Sequence, residues 1–532
     1  MASSNLPCCQ LRALCLEAAR EISSECAGGD VKPLSEVAGC ESPLVELLGR
    51  QANIIAKDTS IDAESFTLIS RRIDDLISIS YSKFYAYVFK DLPVRWRVLY
   101  TDASILKFCF VFLASPLAGG SSSASPAHSP KPDDALLEQL VQPLDLAIIL
   151  AGAAGNRRGR RWIEQAFCLL ENISNTSQFI PSSETARKTK DGSHLSKRLK
   201  LSPSNASANI WEALASFKTT EPFTPPVKNP VRRVKKLSLE SFQSYMDKPS
   251  NLDMGPEPLI ITNVTDDWPA RTTNPWCKPA YLLSRTLNGR RLVPVETGRS
   301  YVDEGWGQKI IPFSAFLEGY IDRSAISSSA DHDSSNSKRT EGGGTAGSLH
   351  EQASIAYLAQ HQLFTQLPSL RDDIRIPDYC YTAPPPPPAS MFPTSEQRPP
   401  ELEDPILNAW FGPPGTITPL HTDPYHNMLS QVVGRKYVRL YSHLQTPHMA
   451  ARGVEDGVEM SNTSRFDVGV MEGWDEADGE DEDEGKSKAV DFGKIPFLDC
   501  ILEPGDTLYV PVGWWHYVRG LSVSFSVSFW WN

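Results

Sequence analysis

Residues 419–427 read PLHTDPYHN, and in that stretch His421 and Asp423 flank a single residue. On an extended strand, positions i and i+2 project to the same side, so an imidazole and a carboxylate would face one point. A third candidate ligand, His516, arrives far downstream in PVGWWHYVR (511–519). Two imidazoles and one carboxylate on one face of a metal leave the opposite positions open, the arrangement of nonheme Fe(II) oxygenases. Open positions let a cosubstrate and O2 bind together. An isolated HxD more often belongs to a surface turn, and it is the flanking sequence that reverses that reading.

Upstream, ILNAWFGPPGTITPLH (406–421) orders as strand, Gly/Pro loop and strand, and carries Thr418. Downstream, MLSQVVGRKYVRLY (428–441) has two β-rich runs meeting at Gly434 and Arg435, which predicts a tight hairpin with Lys436 opening its second strand. Lys436 is then either an edge-strand charge or a cation in a barrel mouth, pairing with one carboxylate of a dicarboxylate cosubstrate. Further on, EPGD (503–506) is a turn, TLYVP (507–511) a strand, and His516 opens the next strand. Ser522, Ser524, Ser526 and Ser528 alternate with Val523, Phe525, Val527 and Phe529 in strict period two. The apolar face belongs to a core. Alternation alone favours solvent for the serine face over a cavity lined by small side chains.

GTITPLHTDPYHN (415–427), VVGRKYVRLYS (432–442), PGDTLYVPVGWWHYVR (504–519) and SFSVSFWWN (524–532) together resemble the JmjC family. Similar blocks run upstream through PLIITNVTDDWPA, LVPVETGRSYVDEGW, YLAQHQLF and IPDYC, so the resemblance covers roughly residues 230–532. It implies a double-stranded β-helix, a jelly-roll-like cupin barrel. Within the barrel it implies Fe(II) held by His421, Asp423 and His516, and 2-oxoglutarate bound by Lys436 with hydrogen bonds from Tyr357, Thr418 and Asn427. Relatives often carry Ser at the position of Thr418; the hydroxyl is kept. An acid and aromatics equivalent to Glu296, Tyr301, Trp306 and Trp410 line the peptide pocket in such relatives, a set suited to a cationic side chain. Ordinary core and rim packing would account for these four equally well.

The implied enzyme is a dioxygenase consuming Fe(II)-bound O2 and 2-oxoglutarate to hydroxylate a protein side chain, with arginine favoured. The alternatives are a histone lysine demethylase and a non-catalytic cupin interaction module. No HExxH stands in the sequence, which argues against a zinc peptidase. The substrate is a protein or peptide, such as a histone or another basic protein, and no nucleic-acid or membrane partner is expected.

Ahead of the barrel, residues 1–180 carry apolar positions at three and four spacing in LRALCLEAAREISSE, LVELLGRQANIIAKD, FTLISRRIDDLISISYSKFYAYVF and ALLEQLVQPLDLAIILAGA. The fold class is therefore α+β: a helical domain at 1–180 of unassigned partner, a flexible basic linker at 181–229, and the barrel at 230–532. Low-complexity insertions are expected near 327–347, 382–404 and 472–488. Nine of the acids behind the net charge of −12 crowd into 472–484, so the rest of the chain is near balance, and that run is expected to be a solvated loop. Ten cysteines without a CxxC pair suit reduced thiols in a nuclear or cytosolic protein. RKTK (187–190) and KRLK (197–200) resemble a nuclear import signal, with VRRVKK (231–236) a weaker one.

Overall fold

A computed structural model describes residues 6–27, 36–58, 62–87, 91–119, 132–176, 211, 214–303, 305–322, 355–387, 391, 398–455, 457–476 and 491–532. The first part of the linker expected at 181–229, the insertion near 327–347 and most of the acidic run lie outside them. The chain divides into two compact units: Met1–Lys200 with Arg290–Leu292, and Leu201–Gly289 with Val293–Asn532.

Among the described residues the first unit holds six helices: α1 (Leu6–Cys26), α2 (Ser42–Ala56), α3 (Ala63–Phe84), α4 (Val94–Ala114), α5 (Asp134–Ala151) and α6 (Gly159–Thr176). Sequence periodicity finds α1, α2, α3 and α5. It misses α4 because that helix is buried on every side, from Trp96 through Leu99, Ile105 and Phe112, and so has no polar face to set a period. Asp62 and Asp133 cap α3 and α5 by accepting backbone N–H bonds. No helix among the described residues is long and apolar enough to cross a membrane.

The second unit is built on two facing sheets. Among the described residues the larger has nine strands in the order β1-β2-β13-β8-β15-β6-β5-β3-β4, the edge strand β4 being Gly307–Pro312, and the smaller has four in the order β12-β9-β14-β7. The strands that shape the site are β3 (Leu292–Thr297), β5 (Ala356–His361), β6 (Ile406–Gly412), β7 (Ile417–His421), β8 (His426–Val433), β9 (Lys436–Tyr441), β13 (Thr507–Val510), β14 (Trp515–Gly520) and β15 (Ser524–Trp531). β1 (Arg233–Lys235) takes up part of VRRVKK, pairing in parallel with β2 (Leu259–Thr262).

Period two sorts each strand between inside and outside. On β9, Val438 and Leu440 join an inner apolar cluster with Leu429 and Leu508, while Tyr437 and Tyr441 pack outward with Trp515 and Tyr517. On β15, Phe525, Val527 and Phe529 pack outward against Trp268 and Trp276.

Three readings of the sequence change. First, β8 and β9 do not form a hairpin: β8 pairs with β13 and β15, and β9 with β12 (Leu498–Leu502) and β14. Gly434 and Arg435 carry the chain from one sheet to the other. Gly434 has φ +65°, and a Cβ there would lie 1.9 Å from the Val523 carbonyl oxygen, so only glycine fits this crossing. Second, the serine face of β15 is buried, with Ser522, Ser524, Ser526 and Ser528 at most 1% exposed. Its hydroxyls face the barrel interior, where Ser526 donates to Gln431 Oε1 (2.7 Å) and Ser528 accepts from Trp410 Nε1 (2.9 Å). Third, the barrel unit starts before residue 230. Trp211 and Phe217 sit in its core, and the backbone N–H groups of Lys228 and Asn229 donate to the Asp499 carboxylate.

Candidate metal centre and cosubstrate pocket

His421 closes β7, and Asp423 lies just beyond the strand end, so the two do not share one strand as the HxD spacing predicts. His516 is the second residue of β14 and stands directly opposite His421 in the β7–β14 register. In the same register Val518 faces Thr418. His516 and Val518 share a face, being two apart, so their partners must share it too, although Thr418 and His421 are three apart. A bulge in β7 absorbs the extra residue. Sequence periodicity cannot show that device, yet it delivers both Thr418 and His421 to the interior.

The ligand atoms of His421, Asp423 and His516 all lie within 4.8 Å of one another. Asp423 Oδ1 is 3.5 Å from His421 Nε2, and Oδ2 is 3.5 Å from His516 Nε2. Each imidazole is turned by its own strand: His421 Nδ1–H donates to the Pro419 carbonyl (2.8 Å) and His516 Nδ1–H to the Trp514 carbonyl (3.0 Å). With Nδ1 held by the backbone, each Nε2 points at the carboxylate, where it can share a proton with it or, once that proton is displaced, offer a lone pair to a cation. Burial pushes the Asp423 pKa up, but the hydrogen bonds and charges of His421 and His516 outweigh it and hold the group well below the usual carboxylate range. Two imidazole nitrogens and an ionised oxygen converging on one point are a fitting donor set for Fe(II).

The same cavity is lined by Tyr357, Thr418, Asn427 and Lys436, walled by Leu429, Val438, Val510 and Val518, with Trp410 at its side. The apolar walls went unremarked in the sequence reading. Leu429, Val438 and Val518 lie two residues from Asn427, Lys436 and His516, so the strand period could have found those three. Lys436 is only 1% exposed, and its Nζ donates to neutral groups alone, the Tyr357 hydroxyl (3.1 Å) and the Trp410 carbonyl (3.4 Å). Burial lowers its pKa to about 7. Asn427 donates to Asp423 Oδ2 at 3.4 Å, and its buried Oδ1 has no hydrogen-bond partner. A buried cation without a carboxylate is a group that a bound oxoacid would complete, whereas the orphaned amide oxygen is an acceptor and calls for a donor instead.

The structure places the four aromatic and acidic residues unequally. Trp410 lines the cavity, its ring 6.0 Å from that of Tyr357. Glu296 stands opposite Tyr357 in the β3–β5 pairing and hydrogen-bonds with Trp306. Tyr301 feels the charges of both Asp423 and Glu296, and its hydroxyl lies 3.3 Å from Thr463 Oγ1. Glu296, Tyr301 and Trp306 are thus outside the cavity wall, at its approach, and Trp306 is 38% exposed. His426, next to Asn427, points to the opposite side, with Nδ1 at 2.9 Å from the Tyr509 hydroxyl.

The acidic run is docked at its start. Glu472 pairs with the fully buried Arg439 (2.5 Å) and with Lys228 (2.7 Å), and Asp475 with Arg299 (3.0 Å) and Arg519 (2.7 Å). The expectation of a solvated loop from residue 472 onward is therefore corrected for residues 472–475, because buried guanidinium groups need carboxylate partners.

A family model described as a cupin-like domain matches residues 250–532. The chain is 30% identical over 481 residues to lysine-specific demethylase 8 of Danio rerio, covering 90% of this chain and 91% of that protein. It is 40% identical over 308 residues to lysine-specific demethylase JMJ30 of Arabidopsis thaliana, covering 57% of this chain and 55% of that protein. Over 319 residues it is 33% identical to Jumonji C domain-containing protein 5 of Drosophila melanogaster, covering 60% of this chain and 64% of that protein.

Proposed function

The chain belongs to the JmjC oxygenases, a cupin-like family dependent on 2-oxoglutarate, and on that premise we propose that it hydroxylates a protein side chain, with arginine as the target. In this reading His421, Asp423 and His516 hold Fe(II), and Lys436, Tyr357, Thr418 and Asn427 hold 2-oxoglutarate. The bound metal and cosubstrate supply the oxidising power that activates O2 for attack on a C–H bond. The chain's own residues do the placing. Lys436 neutralises the far carboxylate, the hydroxyls of Tyr357 and Thr418 orient it, and the valines of β9, β13 and β14 keep water from the reacting carbon.

The observation that carries the choice of target is Glu296. It is part-buried, bonded to the Trp306 indole, and has no cationic partner among the described residues. A guanidinium offers two parallel N–H donors to that carboxylate and a flat face to Trp306 or Trp410. Lysine demethylation is the second reading, favoured by the names of the relatives. Both begin with the same hydrogen abstraction. A hydroxylated N-methyl group collapses to formaldehyde, whereas a hydroxylated chain carbon persists. Mass spectrometry of arginine peptides and of methyl-lysine histone peptides after turnover separates them: gain of one oxygen without formaldehyde supports the first, and loss of one methylene with formaldehyde the second. The demethylase names also support a nuclear location, with the basic clusters at 187–190 and 197–200 as the import signal.

A further inference from the structure

The loop that follows β3 carries Tyr301 and Trp306 to the approach of the cavity, and one side chain ties it down. Arg299 spreads its guanidinium over three carboxylates: Nε donates to Asp303 (3.2 Å), Nη1 to Asp475 (3.0 Å) and Nη2 to Asp467. Its backbone carbonyl accepts from Ile417 N (3.1 Å), the first residue of β7. Asp475 in turn accepts from Arg519 (2.7 Å), three residues past His516 on β14. Asp467 and Asp475 are brought together by a short helical turn in which Asp467 caps Gly469 and Val470. A Cβ at Gly469 would lie 1.9 Å from Asp475 Oδ2, so any side chain there would displace that carboxylate. The Arg299 side chain is 28% exposed and its partners 14–24%, so this is a shielded three-way contact rather than a solvent-screened surface pair.

We propose that Arg299 is a positioning residue for substrate recognition: through Asp467 and Asp475 it fixes the Tyr301 and Trp306 loop against the strands that carry His421 and His516. It touches neither the metal ligands nor the cosubstrate residues. The inference rests on the reading of Tyr301 and Trp306 as peptide contacts. An ammonium also has three N–H donors, but they radiate from one nitrogen, whereas these carboxylates meet three separate nitrogens of a planar fork, so lysine is only a partial substitute.

Two measurements on Arg299→Gln and Arg299→Lys in the full chain test this. In hydrogen exchange, the amides of residues 298–303 of Arg299→Gln should exchange about tenfold faster than in the wild type while those of β14 do not change. In turnover, KM for a basic arginine peptide should rise about tenfold, with kcat and the 2-oxoglutarate requirement held within about twofold. Arg299→Lys should fall between the two. Unchanged loop exchange, or peptide and 2-oxoglutarate requirements rising together, would overturn the assignment. If Arg299→Gln does not fold, Asp475→Asn, which leaves the bonds to Asp303 and Asp467, must shift the loop amides in the same direction. A wild-type enzyme that turns over no arginine peptide counts against the arginine reading, and the exchange data still decide the role of Arg299.

Discussion

Lys436→Met separates cosubstrate binding from folding. In the ligand-free protein the ammonium is buried against a phenol and a carbonyl, with no carboxylate near, and its pKa falls from 10.5 to about 7. At about 1.4 kcal/mol per factor of ten, that lowering corresponds to roughly 5 kcal/mol, an upper bound on what burying the charge costs the fold. The sign follows from proton linkage. The unfolded chain keeps the lysine proton up to its ordinary pKa, whereas the folded chain releases it near neutrality, so the cost is full below pH 7 and fades as pH rises toward 10.5. Lys436→Met should therefore raise the melting temperature of the ligand-free protein at neutral pH and below, with the gain shrinking in alkali. The same change removes a charge-assisted contact to 2-oxoglutarate of about 1.5–3 kcal/mol, which is roughly 10- to 150-fold in affinity. Thermal melts across pH, with succinate formation titrated in 2-oxoglutarate and in iron separately, check both halves. A melting temperature that falls by several degrees, or an iron requirement that rises as much as the 2-oxoglutarate requirement, would show that Lys436 is a structural cation and refute the reasoning.

His421→Ala or Asp423→Ala should abolish iron-dependent turnover, since two ligands cannot hold a facial site; continued 2-oxoglutarate decarboxylation by either folded variant would refute the ligand assignment. Glu472→Ala strands the buried Arg439 and should lower stability by about 3 kcal/mol, read as a fall in the denaturation midpoint, whereas deleting 477–484 should leave that midpoint in place. Gly434→Ala should prevent folding or cost more than about 3 kcal/mol, because φ +65° and the contact with Val523 penalise it together; a melting temperature equal to wild type would contradict the crossing described at that turn. Changing Arg187, Lys188, Lys190, Lys197, Arg198 and Lys200 to Ala should abolish nuclear accumulation of a fluorescent fusion and spare turnover. Unchanged accumulation would remove the import role.

What the sequence made legible was local. The motif around His421 carried two of the three residues of the converging His–Asp–His set, and the step from Gly434 to Lys436 marked a turn and a strand start correctly. The choice of partner strand was not written there: residues 428–441 satisfy a hairpin as well as a crossing, and pairing with β13, β14 and β15 decides between them over 60 or more residues of separation. The serine face went to the interior for the same reason, since alternation fixes two faces but not which one meets water. Glu472 and Asp475 looked like members of a solvated run because the arginines they meet, Arg439, Arg299 and Arg519, are distant in the chain.

The acceptors that orient His421 and His516 are the main-chain carbonyls of Pro419 and Trp514. Many metal sites give that task to a carboxylate side chain, which a single base change can delete. Here no codon encodes the orienting group. Replacement of the side chain at 419 or 514 leaves the oxygen in place as long as the strand keeps its path, and a hunt for a partner residue that varies in step with either histidine would find none. The tautomer of both imidazoles is thus inherited with the barrel itself, and loss of the metal geometry by drift would have to proceed through the ligands or through the fold.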